Sequence, residues 1–296
     1  MQAALLPDRG VVTVAGEAAG DFLNGLLTAD IGKVTPETPR FAALLTPQGK
    51  IIADCIVAKA PVSEGGGFFL DCPRALAPTL VDKLNFYKLR AKVIIEDRSE
   101  ALGVLAAWNG EGSTEYGLVY RDPRLPALGL RVLVPPHLAV EAAADLGATL
   151  IEAAAYEAHR IALGIPRGGL DFIYGDAYPH EADMDQLGGV DFAKGCYVGQ
   201  EIVSRVEHRG SARSRVVPVS YDGGAPEVGL PVVAGDKTLG LMGSASGGHG
   251  LALLRLDRVA DALAAGMPLT AGGVPLRLRK SDWARFEIPG ANEAAS

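Results

Sequence analysis

The chain has 296 residues, 48% of them hydrophobic and 21% charged, which suits ordinary packed cores in two or three domains of a soluble globular protein. A formal net charge of −7 repels phosphate backbones, so direct nucleic-acid binding is not expected without a local basic face. Three cysteines, Cys55, Cys72 and Cys196, are too few and too scattered for a disulfide framework, and a reducing compartment is expected.

Met1 to Gly10 lacks the basic start and apolar core of a secretory leader and the Arg-rich character of an organelle transit peptide, so a cytoplasmic place is expected. No window approaches the ~20 apolar residues of a membrane span, so no membrane association is expected. The five histidines show no His-x-x-x-His spacing, so no dedicated metal is expected.

In chain order, Val11 to Val14 reads as a strand, and Phe22, Leu23, Leu26 and Leu27 line one face of a helix. Phe41 to Leu45 and Ile51 to Val57 are apolar runs joined by Thr46-Pro47-Gln48-Gly49-Lys50, a hairpin whose turn is preset by Pro47 and closed by Gly49. Phe68 to Leu70 is a third strand, and Pro73 suits the first position of a helix carrying Leu76, Leu80 and Leu84. Lys92 to Glu96, Leu102 to Ala106 and Leu130 to Val134 read as strands, and Leu138 to Leu146 and Ala153 to Leu163 as Ala-rich helices. The hairpins argue for antiparallel pairing and an α+β design.

The densest chemistry lies in Lys194-Gly195-Cys196-Tyr197-Val198-Gly199-Gln200-Glu201. Glu201, Ile202, Val203 and Val206 start a short helix that ends with His208, Arg209 and Gly210, which places Cys196 just upstream of a helix N-terminus. There the helix end and Lys194 can favour a thiolate, and the two glycines permit positive φ. Tyr197 offers a stacking face, while Gln200 and Glu201 can read the edge of a heterocycle. A buried inert thiol in a tight loop is the competing reading. After Gly210, short β runs (Val216 to Val219, Val232 to Val233, Leu239 to Met242, Leu251 to Leu254, Leu276 to Leu278) alternate with Gly-rich turns, as in a small barrel. The expected domains are 1–210, 211–290 and a frayed tail over 291–296.

The octapeptide resembles the Lys-Gly-Cys-Tyr-x-Gly-Gln-Glu signature of the YgfZ-type folate-binding proteins, relatives of the glycine-cleavage aminomethyltransferase that work in iron-sulfur cluster assembly or repair. The likeness extends to Phe22–Asp30, Thr46–Lys50, Tyr87–Val93, Arg160–Pro166 and Pro179-His180-Glu181, spanning roughly residues 10–210. It implies two ferredoxin-like lobes and a C-terminal β-barrel around a central cavity that holds tetrahydrofolate. It places Glu181 at the pterin edge, with Arg90, Lys50, Arg160 and Arg205 as candidates for the glutamate tail or for structural carboxylates, and Cys196 with Lys194 as the reactive centre. The implied partners are folate and iron-sulfur assembly machinery or client enzymes.

Two other functions compete. A folate-dependent aminomethyltransferase would need an orienting carboxylate, for which Asp71 or Asp54 is available, but Leu70-Asp71-Cys72-Pro73-Arg74 departs from the transferase pattern. A non-enzymatic partner in tRNA modification would use Arg205, Arg209, Arg213 and Arg215 as a basic face.

Overall fold

The computed structural model describes residues 1–208 and 212–293. Contacts divide the chain into two compact units, one of Met1–Tyr156 with Leu187–Gln200, the other of Glu157–Gln186 with Glu201–Ser296. The boundary expected near 210 lies outside the described residues.

The first unit opens with β1 (Gln2–Leu6) and β2 (Arg9–Ala15), followed by α1 (Ala19–Asn24), the hairpin β3 (Arg40–Leu45) and β4 (Ile51–Lys59), and β5 (Phe68–Pro73). Then come α2 (Ala77–Lys88), β6 (Ile94–Asp97), β7 (Gly103–Trp108), β8 (Leu118–Arg121), β9 (Leu130–Val134), α3 (Ala139–Asp145) and β10 (Thr149–Leu150). Two five-stranded sheets result, ordered β10-β1-β7-β9-β8 and β3-β4-β5-β2-β6. Every pairing is antiparallel except β1 with β10, in keeping with the α+β expectation.

Each sheet buries one face under helices. Val12, Val14, Leu70 and Cys72 pack with Leu23 of α1 and with Leu80 and Leu84 of α2. Leu105, Leu130, Val132 and Val134 pack with Ala142 and Ala143 of α3. Because side chains alternate along a strand, Asp71 between Leu70 and Cys72, and Arg131 between Leu130 and Val132, point to the opposite faces. There they meet: Arg131 Nη1 donates to Asp71 Oδ2 at 2.7 Å.

Around this pair stands a closed set of partners. Arg9 of β2 donates from Nε to Asp71 Oδ1 and from Nη2 to the Asp71 carbonyl, both at 2.7 Å. The Tyr120 hydroxyl donates to Asp71 Oδ2 at 3.2 Å. Arg131 Nε donates to Asp122 Oδ2 at 2.8 Å, and Arg124 holds both Asp122 oxygens. Burial by itself raises a carboxyl, but Arg9 and Arg131 outweigh it at Asp71, and Arg124 and Arg131 at Asp122, so both lie below the usual range.

Several elements differ from the sequence reading. Pro73 ends β5, paired with Arg9, and a 3-10 turn over Arg74–Leu76 comes first, so α2 starts at Ala77 with Pro78 in its first turn. β1 and β8 were not expected: β1 is short and Ala-rich, and β8 is only four residues long.

The second unit carries Arg160, in α4 (Ala153–Ala162), and the turn around His180, and it ends in a barrel. Its strands are β11 (Ser214–Tyr221), β12 (Pro231–Ala234), β13 (Lys237–Ser246), β14 (His249–Arg255), β15 (Leu269–Ala271) and β16 (Val274–Lys280). The order β11-β14-β13-β12-β15-β16 closes by pairing β16 back onto β11, which removes both sheet edges. Val217, Val219, Val232, Leu239 and Leu254 fill its core. Each expected β run after residue 210 falls inside a strand; the helix at Leu256–Ala264 was not foreseen. In the tail expected to fray, Asn292 and Glu293 pair with Arg279 and Lys280, and residues 294–296 lie outside the described ones.

Replacing one member of a buried charge pair leaves the other uncompensated, which costs about 3–5 kcal/mol. Asp71→Asn is therefore expected to lower unfolding stability by about that amount, read by urea denaturation with the fluorescence of buried Trp108 as probe. The two depressed carboxyls contribute stability that is complete above the ordinary carboxylate range and is lost as pH falls through their folded values. The Asp71→Asn protein should accordingly show a shallower acid-side loss, and an unchanged acid profile would refute the assignment.

Candidate functional site

All of the octapeptide but Glu201 lies in Leu187–Gln200 of the first unit, and its geometry is set by the end of α1 and by the β3–β4 turn. Thr28, fully buried, donates from Oγ1 to the Gly189 carbonyl at 2.5 Å and accepts from Ala43 N at 2.8 Å. Asp191 N donates to the Thr28 carbonyl, and its carboxylate receives Ala193 N at 2.9 Å and Lys33 Nζ at 2.6 Å. The segment is thus laced to the Leu26–Asp30 motif before the octapeptide begins.

Lys194 then takes the carbonyl oxygens that follow α1. Its Nζ donates to Asn24, Leu27 and Ala29 at 2.8, 2.6 and 2.7 Å, which uses all three ammonium donors. Burial brings the ammonium down to about 8, against the opposing pull of Asp30 and Asp191. The catalytic role expected for Lys194 is corrected: three carbonyls satisfy it, so it is an anchor.

Gly199 is the second anchor. At φ 84°, it lies where a Cβ would come within 2.6 Å of the Thr46 carbonyl oxygen and 3.1 Å of Gly49 Cα. Only glycine allows both that dihedral and that approach. Gly195 has open space around it and no positive φ, so the freedom expected of both glycines is used at one.

Between the anchors, Cys196 is exposed, whereas Cys55 and Cys72 are buried in the core under α1 and α2. Burial pushes the Cys72 thiol up to about 12 and the Cys55 thiol well above its ordinary value. The helix expected just after Cys196 is α5 (Gln200–His208), which starts four residues on and buries Val203. Tyr197 is not a free stacking face: it is 7% exposed, its ring lies 5.1 Å from Lys194 Nζ, and burial pushes its hydroxyl up to about 12.

The remaining candidates divide. Lys50 sits in the turn that Gly199 touches, its N donating to Thr46 Oγ1 at 3.1 Å. Gln200 opens α5 half-buried; Glu201 and Arg205 pair with each other at 3.2 Å on its exposed side. Arg90 is exposed in the turn after α2. Arg160 is corrected as a folate-tail candidate. All five of its N–H donors are taken, by Glu157, Asp171 (2.9 Å), the Ile165 carbonyl and Ser244 Oγ (2.8 Å).

Glu181 belongs to the second unit. Its Oε2 accepts from Tyr178 N at 2.9 Å and its carbonyl from Val216 N of β11, which ties the Pro179-His180-Glu181 turn to the barrel. With Tyr178, His180, Val206, Arg213 and Ser214 it lines a cleft of about 510 Å³, within the size class of small-molecule sites.

Each of two alternatives loses a candidate residue. Asp71, fully buried and held by Arg9, Arg131 and Tyr120, has no access to a substrate nitrogen, so it cannot serve as a transferase carboxylate. In the expected basic face, Arg215 is buried and paired with Asp183 (3.0 Å) and Asp185 (2.8 Å), Arg205 pairs with Glu201, and Arg209 lies outside the described residues. Nothing local marks Thr28 and Asp191 as loop ties, because their partners stand about 160 positions away.

Comparison with known proteins fits this architecture. The family described as the CAF17 C-terminal β-barrel domain matches residues 213–286. The aminomethyltransferase T of the glycine cleavage system from Bartonella henselae superposes with a TM-score of 0.74 over 97% of this chain and 87% of that one. At 15% identity that likeness shows the fold, an aminomethyltransferase-like α+β arrangement with a closed barrel. The mitochondrial iron-sulfur cluster assembly factor IBA57 homolog of Mycosarcoma maydis is 34% identical over 74% of the chain, which spans 57% of that protein's length. The homolog in Pyricularia oryzae is 32% identical over 90% of this chain and 75% of its own length. Human IBA57 is 30% identical over 96% of this chain and 82% of its own. All three are named as mitochondrial, which overturns the expectation of a cytoplasmic place. No described helix is long and apolar enough to cross a membrane. With this identity and this coverage of its relatives, the chain belongs to the family of IBA57 iron-sulfur cluster assembly factors.

Proposed function

We propose that this protein acts in iron-sulfur cluster assembly by presenting the Cys196 thiol from its doubly anchored loop, and that it binds a tetrahydrofolate at the Glu181 cleft in the manner of the YgfZ-type proteins its octapeptide resembles. The observation that carries the first half is the exposure of Cys196 between Lys194 and Gly199, in a family named for cluster assembly. A thiolate is the natural ligand of iron in such clusters, and four are the usual complement. One thiol therefore supports transient contact with a cluster whose other ligands come from an assembly partner or client enzyme.

The folate half is supported by the size of the cleft and by a carboxylate on its wall. A carboxylate accepts two parallel hydrogen bonds from an amino-pyrimidinone edge, and Glu181 keeps lone pairs beyond the one that holds Tyr178 N. Aminomethyl transfer is disfavoured because Asp71, one of the two carboxylates expected to orient the acceptor, is locked into the fold, and the other, Asp54, is buried in β4.

In cells that depend on this protein, Cys196→Ala is expected to depress iron-sulfur enzyme activities several-fold while the purified variant keeps the wild-type melting temperature. Normal enzyme activities would remove the thiol from the account. Titration of wild type and Glu181→Ala with tetrahydrofolate, followed calorimetrically, is expected to show saturable binding weakened at least tenfold in the variant. A wild-type protein that does not bind would remove folate.

A further inference from the structure

Beside the cleft assigned to folate, the second unit brings together three side chains of metal-ligating type that their spacing in the sequence conceals. We propose that His180, Asp185 and Glu207 form a site for a divalent first-row transition-metal ion. One donor atom from each lies within 4.8 Å of the other two, and His180 Nε2 stands 3.1 Å from Glu207 Oε2. His180 and Asp185 come from one irregular turn, and Glu207 reaches them from the last turn of α5.

The donor set is one imidazole nitrogen and two carboxylate oxygens. That combination suits Mn²⁺, Fe²⁺ or Zn²⁺, and the lack of a thiolate separates it from cluster ligation. A metal about 2.0–2.2 Å from each donor holds the donors roughly 3–4.4 Å apart. Glu207, whose side chain is 46% exposed, has the freedom to close the difference.

The surroundings are those of a supported site. Arg215 donates to both Asp185 oxygens at 2.9 and 2.8 Å, and Gln186 Nε2 donates to Oδ2 at 2.6 Å, which fixes the carboxylate and leaves Oδ1 a lone pair. The same guanidinium holds the His180 carbonyl at 2.9 Å and Asp183 Oδ1 at 3.0 Å. Such outer contacts orient metal ligands.

Arg215 pairs with Asp183 and Asp185, and Glu207 with His180. Asp183 is fully buried, and its Oδ2 has no hydrogen-bond partner among the described residues. The cleft of about 510 Å³ that His180 lines gives the ion an entry and room for water ligands.

The test is a titration of the full chain, stripped with chelator, with Mn²⁺ alone, read by loss of the free-ion electron paramagnetic resonance signal. One equivalent should bind and be displaced by Zn²⁺. Glu207→Gln and His180→Gln should each weaken binding at least tenfold, while Glu227→Gln, an exposed carboxyl outside the cluster, leaves it unchanged. Glu207 is half-exposed, so its variant keeps the question open to decision even if the histidine variant fails to fold. Absence of binding at millimolar Mn²⁺, or equal affinity in wild type and Glu207→Gln, overturns the proposal and leaves the His180–Glu207 contact as a plain hydrogen bond.

Discussion

The buried bond between Asp71 and Arg131 is the constraint on which the first unit depends. β1 and β2 are separated only by Pro7 and Asp8, yet they enter different sheets, so the two sheets must meet near this crossing. The faces that meet carry a buried charge cluster among apolar side chains such as Val11, Phe69, Val104 and Leu133. Taking ions out of water is tolerable only when each finds a partner and its remaining hydrogen bonds. Arg9, Tyr120, Asp122 and Arg124 supply those partners, with charge-assisted bonds of 2.7 to 2.9 Å between the ionised groups. A purely apolar interface could slide, whereas a buried charge cluster is satisfied in a single register. A carboxylate consumed in this way is unavailable to a substrate.

The thiol loop follows the same logic on a smaller scale. Segments far apart in sequence, Asn24–Lys33, Thr46–Lys50 and Leu187–Gln200, meet at the end of one sheet's helix and hairpin. Carbonyls left over where α1 ends must be satisfied, and Lys194 reaches them. A glycine must lie against the hairpin turn, and Gly199 does. What remains between them is a short bridge with Cys196 in solvent. The three stretches that resemble one family's motifs are therefore parts of one piece of structure.

How much of this the residues disclosed depends on the range of the interaction. The hairpin, the strands of the barrel and the helix behind the octapeptide were legible because turn residues and apolar periodicity act within a few positions. Lys194, Tyr197 and Arg160 were read as ligand groups from their side-chain chemistry, and the structure spends them internally because their partners come from distant segments or from turns with no periodic signal. The His180, Asp185 and Glu207 cluster was missed for the same reason: its spacing of 5 and 22 positions matches no helical or loop signature. The mitochondrial naming of the relatives was beyond what composition and the first ten residues could indicate.

Of the three thiols, the fold offers one to solvent. Cys55 and Cys72 are closed in the core with their thiols pushed upward, and Cys196 is exposed between two anchors. The direct measurement is time-resolved alkylation of the native protein, with each modified cysteine located by mass spectrometry. One rapid modification at Cys196, with Cys55 and Cys72 reacting only after denaturant is added, is the predicted result. A native protein in which Cys196 is protected, or in which all three cysteines react together, would contradict it.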